Sequence, residues 1–220
     1  FAVDRYRQAA GSESAAFRLI KGGLRAVTGA LTKRDPKAME ITTISRALMM
    51  VGTTPFFRQF ARLPTVETTL RQHPDALQGV MRSMSRARHA ALYAQDWAML
   101  RHDIGSDEVM VAALLRDLAE ILMSCFAPDL MAKIRTELQT HPGLRSAEAQ
   151  QRVLGFRGLE LQLALAEHWQ LPKLLQSLMD EENARQPRAK NVALACRLAR
   201  HSALNWFDPA LPDDYAHIAE

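Results

Sequence analysis

Residues 106–125 read SDEVMVAALLRDLAEILMSC, and this stretch decides the fold class. Val111, Leu114, Leu115, Leu118, Ile121, Leu122 and Cys125 fall at i, i+3, i+4, i+7, i+10, i+11 and i+14. That period predicts a single amphipathic helix whose apolar stripe faces a core. Ser106 stands where an N-cap belongs, and Asp107 and Glu108 follow in the first turn, where the helix dipole favours anions. Pro128 is expected to stop the helix. Leu114, Leu115, Leu118, Leu122 and Cys125 are therefore expected to be buried.

Outward from this stretch, the same periodicity predicts helices near 44–51, 54–62, 65–72, 75–101, 129–140, 146–154, 158–170, 172–184 and 190–205. Pro64, Pro74, Pro142, Pro172 and Pro187 punctuate them as starts or stops. No fixed repeat is visible, which argues against a solenoid. The expected fold is mainly all-α, a multi-helix domain over residues 44–220.

Residues 1–43 read differently. Gly22-Gly23 and Arg34-Asp35-Pro36 are turn signals, and the short runs around them alternate roughly, as Phe17 with Leu19 and Met39 with Ile41. Short β-strands fit that pattern. The chain begins at Phe1 with neither a methionine nor a signal-peptide pattern, as a fragment of a longer protein would.

Composition excludes several classes. Of 220 residues, 48% are hydrophobic and 24% charged, enough for a real core and too apolar for a disordered chain. Net charge is +4 and the sequence pI about 9.3, with no run of five or six like charges. A solvated arginine-rich surface explains this, and no zinc-finger or RNP-like pattern points to nucleic acid. No apolar run reaches membrane-spanning length. Cys125 and Cys196 lie in apolar helical patterns and read as buried thiols of a reducing compartment, so a cytoplasmic location is expected.

Three segments carry a resemblance. They are Arg88-His89-Ala90-Ala91-Leu92-Tyr93-Ala94, then Ala112-Ala113-Leu114-Leu115-Arg116-Asp117-Leu118-Ala119, then Asn191-Val192-Ala193-Leu194-Ala195-Cys196-Arg197-Leu198-Ala199. Together they resemble the metal-bearing helices of the HD phosphohydrolase-like superfamily. That likeness implies ligand positions at His89, Arg116, Asp117 and Cys196. In such a site imidazoles and hard carboxylates hold divalent ions that activate water and neutralise a phosphoryl group. Here Arg116 replaces a His and Cys196 replaces an Asp. An arginine is a permanent cation, and a thiol is a poor exchange for a bridging carboxylate. Ile44–Gly52, Val153-Leu154-Gly155 and His168-Trp169-Gln170-Leu171-Pro172 resemble the HDOD branch of that superfamily, where such losses are expected. Phe17–Arg25, with its Lys-Gly-Gly-Leu-Arg core, resembles a FecR-like β-domain fragment. Residues 1–43 would then be that fragment and 44–220 the HDOD-like domain, with a break or fusion point expected near Thr43–Ile44, or else with residues 15–42 packed on the helices as a local adaptor.

The resemblance implies a non-catalytic signalling domain of bacterial type that acts through a protein partner, with no catalytic residue, metal or cofactor. Homo-oligomerisation and nucleotide binding at the vestigial site stay open. A residual phosphohydrolase and an envelope sensor led by the FecR-like segment are the alternatives. His102-Asp103 is a literal His-Asp pair but precedes a helix start, so an exposed connector is expected. Asp117 and Arg116 are expected to form a structural ion pair, and His89 to be a satisfied interior or boundary histidine. Met49, Met50, Met81, Met84, Met99, Met110, Met123, Met131 and Met179 are expected mainly in the core.

Overall fold

The computed structural model describes residues 41–219 apart from positions 62, 142, 184 and 204. The strand pattern and FecR-like residues expected at 1–40 lie outside the described residues. Helices are numbered here from the first described one. Thr43 caps α1 (Ile44–Val51), its hydroxyl accepting the Arg46 N–H at 3.3 Å, and Gly52 ends it with φ 79°. α2 (Thr53–Phe60) follows, then α3 (Val66–Thr69), a single turn capped by Thr65. Pro74 opens α4 (Pro74–Leu100), a 27-residue helix. The rest are α5 (Ser106–Leu115), α6 (Leu118–Phe126), α7 (Pro128–Thr140), α8 (Ser146–Leu154), α9 (Gly158–His168), α10 (Lys173–Met179), a 3-10 turn (Glu181–Asn183), α11 (Pro187–His201) and α12 (Leu211–Ala219). No strand occurs among the described residues, and the all-α expectation holds. No described helix is long and apolar enough to cross a membrane.

The junction expected at Thr43–Ile44 is a helix cap. Thr43 supplies both the capping hydroxyl and the carbonyl that accepts the Ala47 N–H, and buried Thr42 donates to Glu108 Oε1 at 2.8 Å.

The helix expected after Ser106 is two helices. The turn at Arg116–Asp117 separates α5 from α6. The Arg116 N–H bonds back only three residues, to the Ala113 carbonyl, and the Ala119 N–H is taken by the buried Gln162 side chain at 2.8 Å. A side chain of α9 thus supplies the acceptor that residue 115 would supply in a continuous helix. The break resets the helical phase, so the predicted stripe does not survive: Leu114, Leu115, Leu118, Leu122 and Cys125 are all only half-buried. Val109, Val111, Ala112 and Ala113 of α5 are buried instead, with Ala119, Met123 and Ser124 of α6. Ser106 is the first helical residue rather than a cap, and Asp103 Oδ1 accepts the Gly105 N–H at 2.8 Å just before it. Pro128 follows the end of α6 at Phe126, as expected of a stop, and is also the first residue of α7, where its missing N–H costs nothing.

The chain divides into two compact units. In the unit that holds residues 53–78 and 119–170, Ala119, Met123, Ile134, Ala149, Leu154, Phe156 and Leu161 form the core, and Leu130, Leu138, Leu144 and Leu165 pack on it. In the unit that holds residues 41–52, 79–118 and 171–220, α5 packs on α10 and α11, and α12 packs on α11. Here Ala87, Ala90, Ala91, Ala94 and Ala98 give α4 a buried stripe of minimal width. Asn191 of α11 reaches the Ala94 carbonyl across that stripe at 3.0 Å. Small side chains permit such close approach of backbone. α12 was not expected from the sequence.

Candidate functional site

The four HD-like positions all lie in the second unit: His89 on α4, Arg116 and Asp117 in the turn after α5, and Cys196 on α11. Three of them gather where α5 ends against α11. The Cys196 thiol is buried and faces the Ala113 carbonyl, with 3.8 Å between sulfur and oxygen. Arg116, the C-cap of α5, turns its guanidinium to the Met179 carbonyl at 2.9 Å. Met179 closes α10, whose last carbonyls have no partner within the helix, and a cation at a helix C-terminus is favourable. Asp117 meets Arg200 of α11 at 3.4 Å rather than pairing with Arg116, which corrects the expected ion pair.

His89 stands apart from these three. It is exposed, not interior, and its ring stacks on Tyr93 at 6.4 Å between centroids, with Tyr93 stacked in turn on Trp97 at 6.2 Å. A divalent metal needs convergent oxygen and imidazole ligands. An arginine bonded to backbone and a thiol held against a carbonyl do not fit that group. Among the described residues no three His, Cys, Asp or Glu side chains are grouped to hold an ion.

A second polar constellation was missed in the sequence. Arg188 on α11 donates from Nε to Asp103 Oδ2 at 2.7 Å, from Nη2 to Asp103 Oδ1, and from Nη1 to Glu108 Oε2 at 3.3 Å. The His102-Asp103 pair is therefore no free connector, since its Asp is a clamp while His102 is exposed with φ 56°. Hydrogen bonds from Arg188 hold the Asp103 carboxyl below its usual range, and Asp103 raises the arginine in return. Gly105 lets the guanidinium in: a Cβ there would sit 2.6 Å from Nη2. Arg188 and Asp103 also border an open cleft of about 660 Å³, with Leu174, Leu178 and Pro187 as its apolar lining.

A third constellation ties α12 down. Asp214 is buried at 1% exposure and accepts Arg197 Nε at 2.9 Å and Nη2 at 2.7 Å on one oxygen, with His201 Nδ1 at 2.6 Å from the other. No single motif announces these clusters, because Arg188 lies 85 residues from Asp103. The i, i+4 spacing of Arg197 and His201 was the one available hint for the third.

The HDOD domain profile matches residues 36–184. Among solved structures, an HDOD domain protein of unknown function from Geobacter sulfurreducens is 19% identical, covering 93% of this chain and 72% of its own, with a TM-score of 0.52. A Shewanella amazonensis SB2B protein provisionally named a phosphohydrolase is 14% identical, covering 95% and 89%, with a TM-score of 0.53. The MmoQ response regulator of Methylococcus capsulatus str. Bath is 18% identical, covering 99% and 90%, with a TM-score of 0.54. At such identities the likeness speaks for the fold. No curated protein matches. None of these comparisons supports a FecR-like segment. The profile extends over well more than half of the sequence and the helical fold agrees with it, so the chain belongs to the HDOD domain family.

Proposed function

We propose that this chain is a non-catalytic signalling module, cytoplasmic and bacterial, that acts by binding other proteins. One observation carries the reading. The two altered HD positions, Arg116 and Cys196, are engaged in helix packing, through the Met179 and Ala113 carbonyls. Residues committed in this way hold the fold rather than a reacting phosphate. A signalling role is consistent with the family and with the response regulator among the structural neighbours. No cofactor enters this reading.

The test is metal content of the purified chain together with turnover of bis(p-nitrophenyl) phosphate. The expected result is substoichiometric metal, no turnover above buffer, and an Asp117→Ala variant altered by at most about 1 kcal/mol in stability, as for a half-exposed ion pair. Stoichiometric iron or manganese, with turnover lost in Asp117→Ala or His89→Ala, overturns the proposal in favour of a phosphohydrolase.

A further inference from the structure

The alanine stripe of α4 has an opposite number. On the part of α4 that belongs to the second unit, Met81, Ser85, Arg88, Leu92, Gln95 and Met99 recur at intervals of four, three, four, three and four residues. That is the seam spacing of two helices packed side by side. Most of these side chains are turned away from the unit's own core: Met81 is 50% exposed, Leu92 40% and Met99 58%, and neighbouring Met84 is 44% exposed, while Gln95 at the edge of the seam is half-buried and donates to Asp107 of α5 at 2.9 Å. Ser85, Arg88 and Asp96 are exposed as well. Most of the methionines expected in the core thus stand outside it, and unbranched thioethers adapt to an opposing surface.

The order of residues along the seam says which surface. Reversed end for end, the seam matches itself. In an antiparallel pair centred between Arg88 and Leu92, Met81 meets Met99 of a second copy, Ser85 meets its Gln95, and Arg88 meets its Leu92. Side chains on a helix lean towards its N-terminus. In this register Arg88 of one copy and Asp96 of the other lean towards each other, and the two-fold makes the pair twice. A parallel pair would instead stack Arg88 on Arg88. We infer that this face of α4 is a homodimer interface, closed by two antiparallel α4 helices and two Arg88–Asp96 ion pairs. It does not depend on whether the domain hydrolyses anything. The seam from Met81 to Met99 is about 27 Å long, which places the contact near or below the ~1,200 Å² lower bound of specific interfaces. The dimer is accordingly reversible, with a dissociation constant on the order of 10 µM.

Sedimentation velocity over about 1–200 µM reads the equilibrium directly. The expected result is a monomer–dimer transition, weakened about tenfold or more by Arg88→Asp or by Asp96→Arg alone and restored when both are combined. Within one helix those residues stand about 12 Å apart, so rescue reports contact between copies. A Met81→Cys/Met99→Cys variant supplies a second readout. The two sulfurs cannot meet within one chain, and oxidation should give a covalent dimer that the wild type, with Cys125 and Cys196, does not give. A monomer at every concentration with no cross-link overturns the inference, as does a dimer indifferent to the charge reversals. Loss of thermal stability in Leu92→Glu without any change in mass also overturns it, since the seam is then covered from within the chain.

Discussion

Asp214→Ala removes the acceptor of three hydrogen bonds, two from Arg197 and one from His201, that fasten α12 to α11. The carboxylate is 1% exposed, but Arg197 is 43% and His201 29% exposed, so both donors recover water when it goes. The loss is therefore that of the bonds themselves and not of a stranded buried charge. Bonds to a charged group contribute about 1.5–3 kcal/mol each and are not additive in a shared cluster, which puts the expected loss at roughly 2–4 kcal/mol. Asp214→Asn keeps one acceptor and should lose about half as much. Urea unfolding followed by far-UV circular dichroism gives the free energies. Limited proteolysis should cut first between Ser202 and Leu211, because α12 comes loose before the rest unfolds. A variant within about 0.5 kcal/mol of wild type, with unchanged cleavage, would refute the clamp.

Arg188→Met should be less stable than wild type at neutral pH. Because Asp103's carboxyl is held below its usual range in the folded chain, the stabilisation is complete above about pH 4 and fades as pH falls through the folded value, so the gap should narrow in acid. A gap that stays constant down to the acid limb would show that Arg188 contributes packing alone. Gly105→Ala should cost about 1–2 kcal/mol by displacing that guanidinium, since Gly105 itself has φ −100° and no backbone strain is added. In the Arg188→Met background the same change should cost less, the remainder coming from the Glu108 carboxylate, whose Oε2 lies 2.8 Å from the new Cβ; a double-mutant cycle measures the difference. Phe156→Ala should cost about 3–5 kcal/mol in chemical denaturation, whereas Leu118→Ala, on a half-buried side chain, should cost clearly less; equal losses would contradict the assignment of the core.

Periodicity located most of the helices because many carry an apolar stripe of their own and a Pro or Gly at or near one end. α8 was legible to the residue, with Gly155 at φ 77° as its C-cap. What failed was nonlocal. Nothing between Leu114 and Ala119 says that Gln162, 43 residues away, will take the Ala119 N–H. α12 is the exception: Leu211, Tyr215 and Ile218 fall at i, i+4 and i+7 and Asp213 and Asp214 stand in its first turn, so its signal is local and was overlooked. The HD-like positions rest on residue identities alone, and the structure adds where each of those side chains goes. His89's exposure was not legible, because a helix of 27 residues offers several faces and composition does not say which one is covered.

Arg116 and Cys196 also act as a ratchet. Arg116→His would offer a ligand but withdraw the guanidinium from the Met179 carbonyl and leave the end of α10 without that partner. Cys196→Asp would bring a carboxylate up to the Ala113 carbonyl oxygen, acceptor against acceptor, where a thiol now donates. Each change alone lowers stability and yields no complete ligand set, since a site needs both. On the proposed reading of Arg116 and Cys196 as altered HD positions, restoring a ligand at either one is therefore uphill in stability.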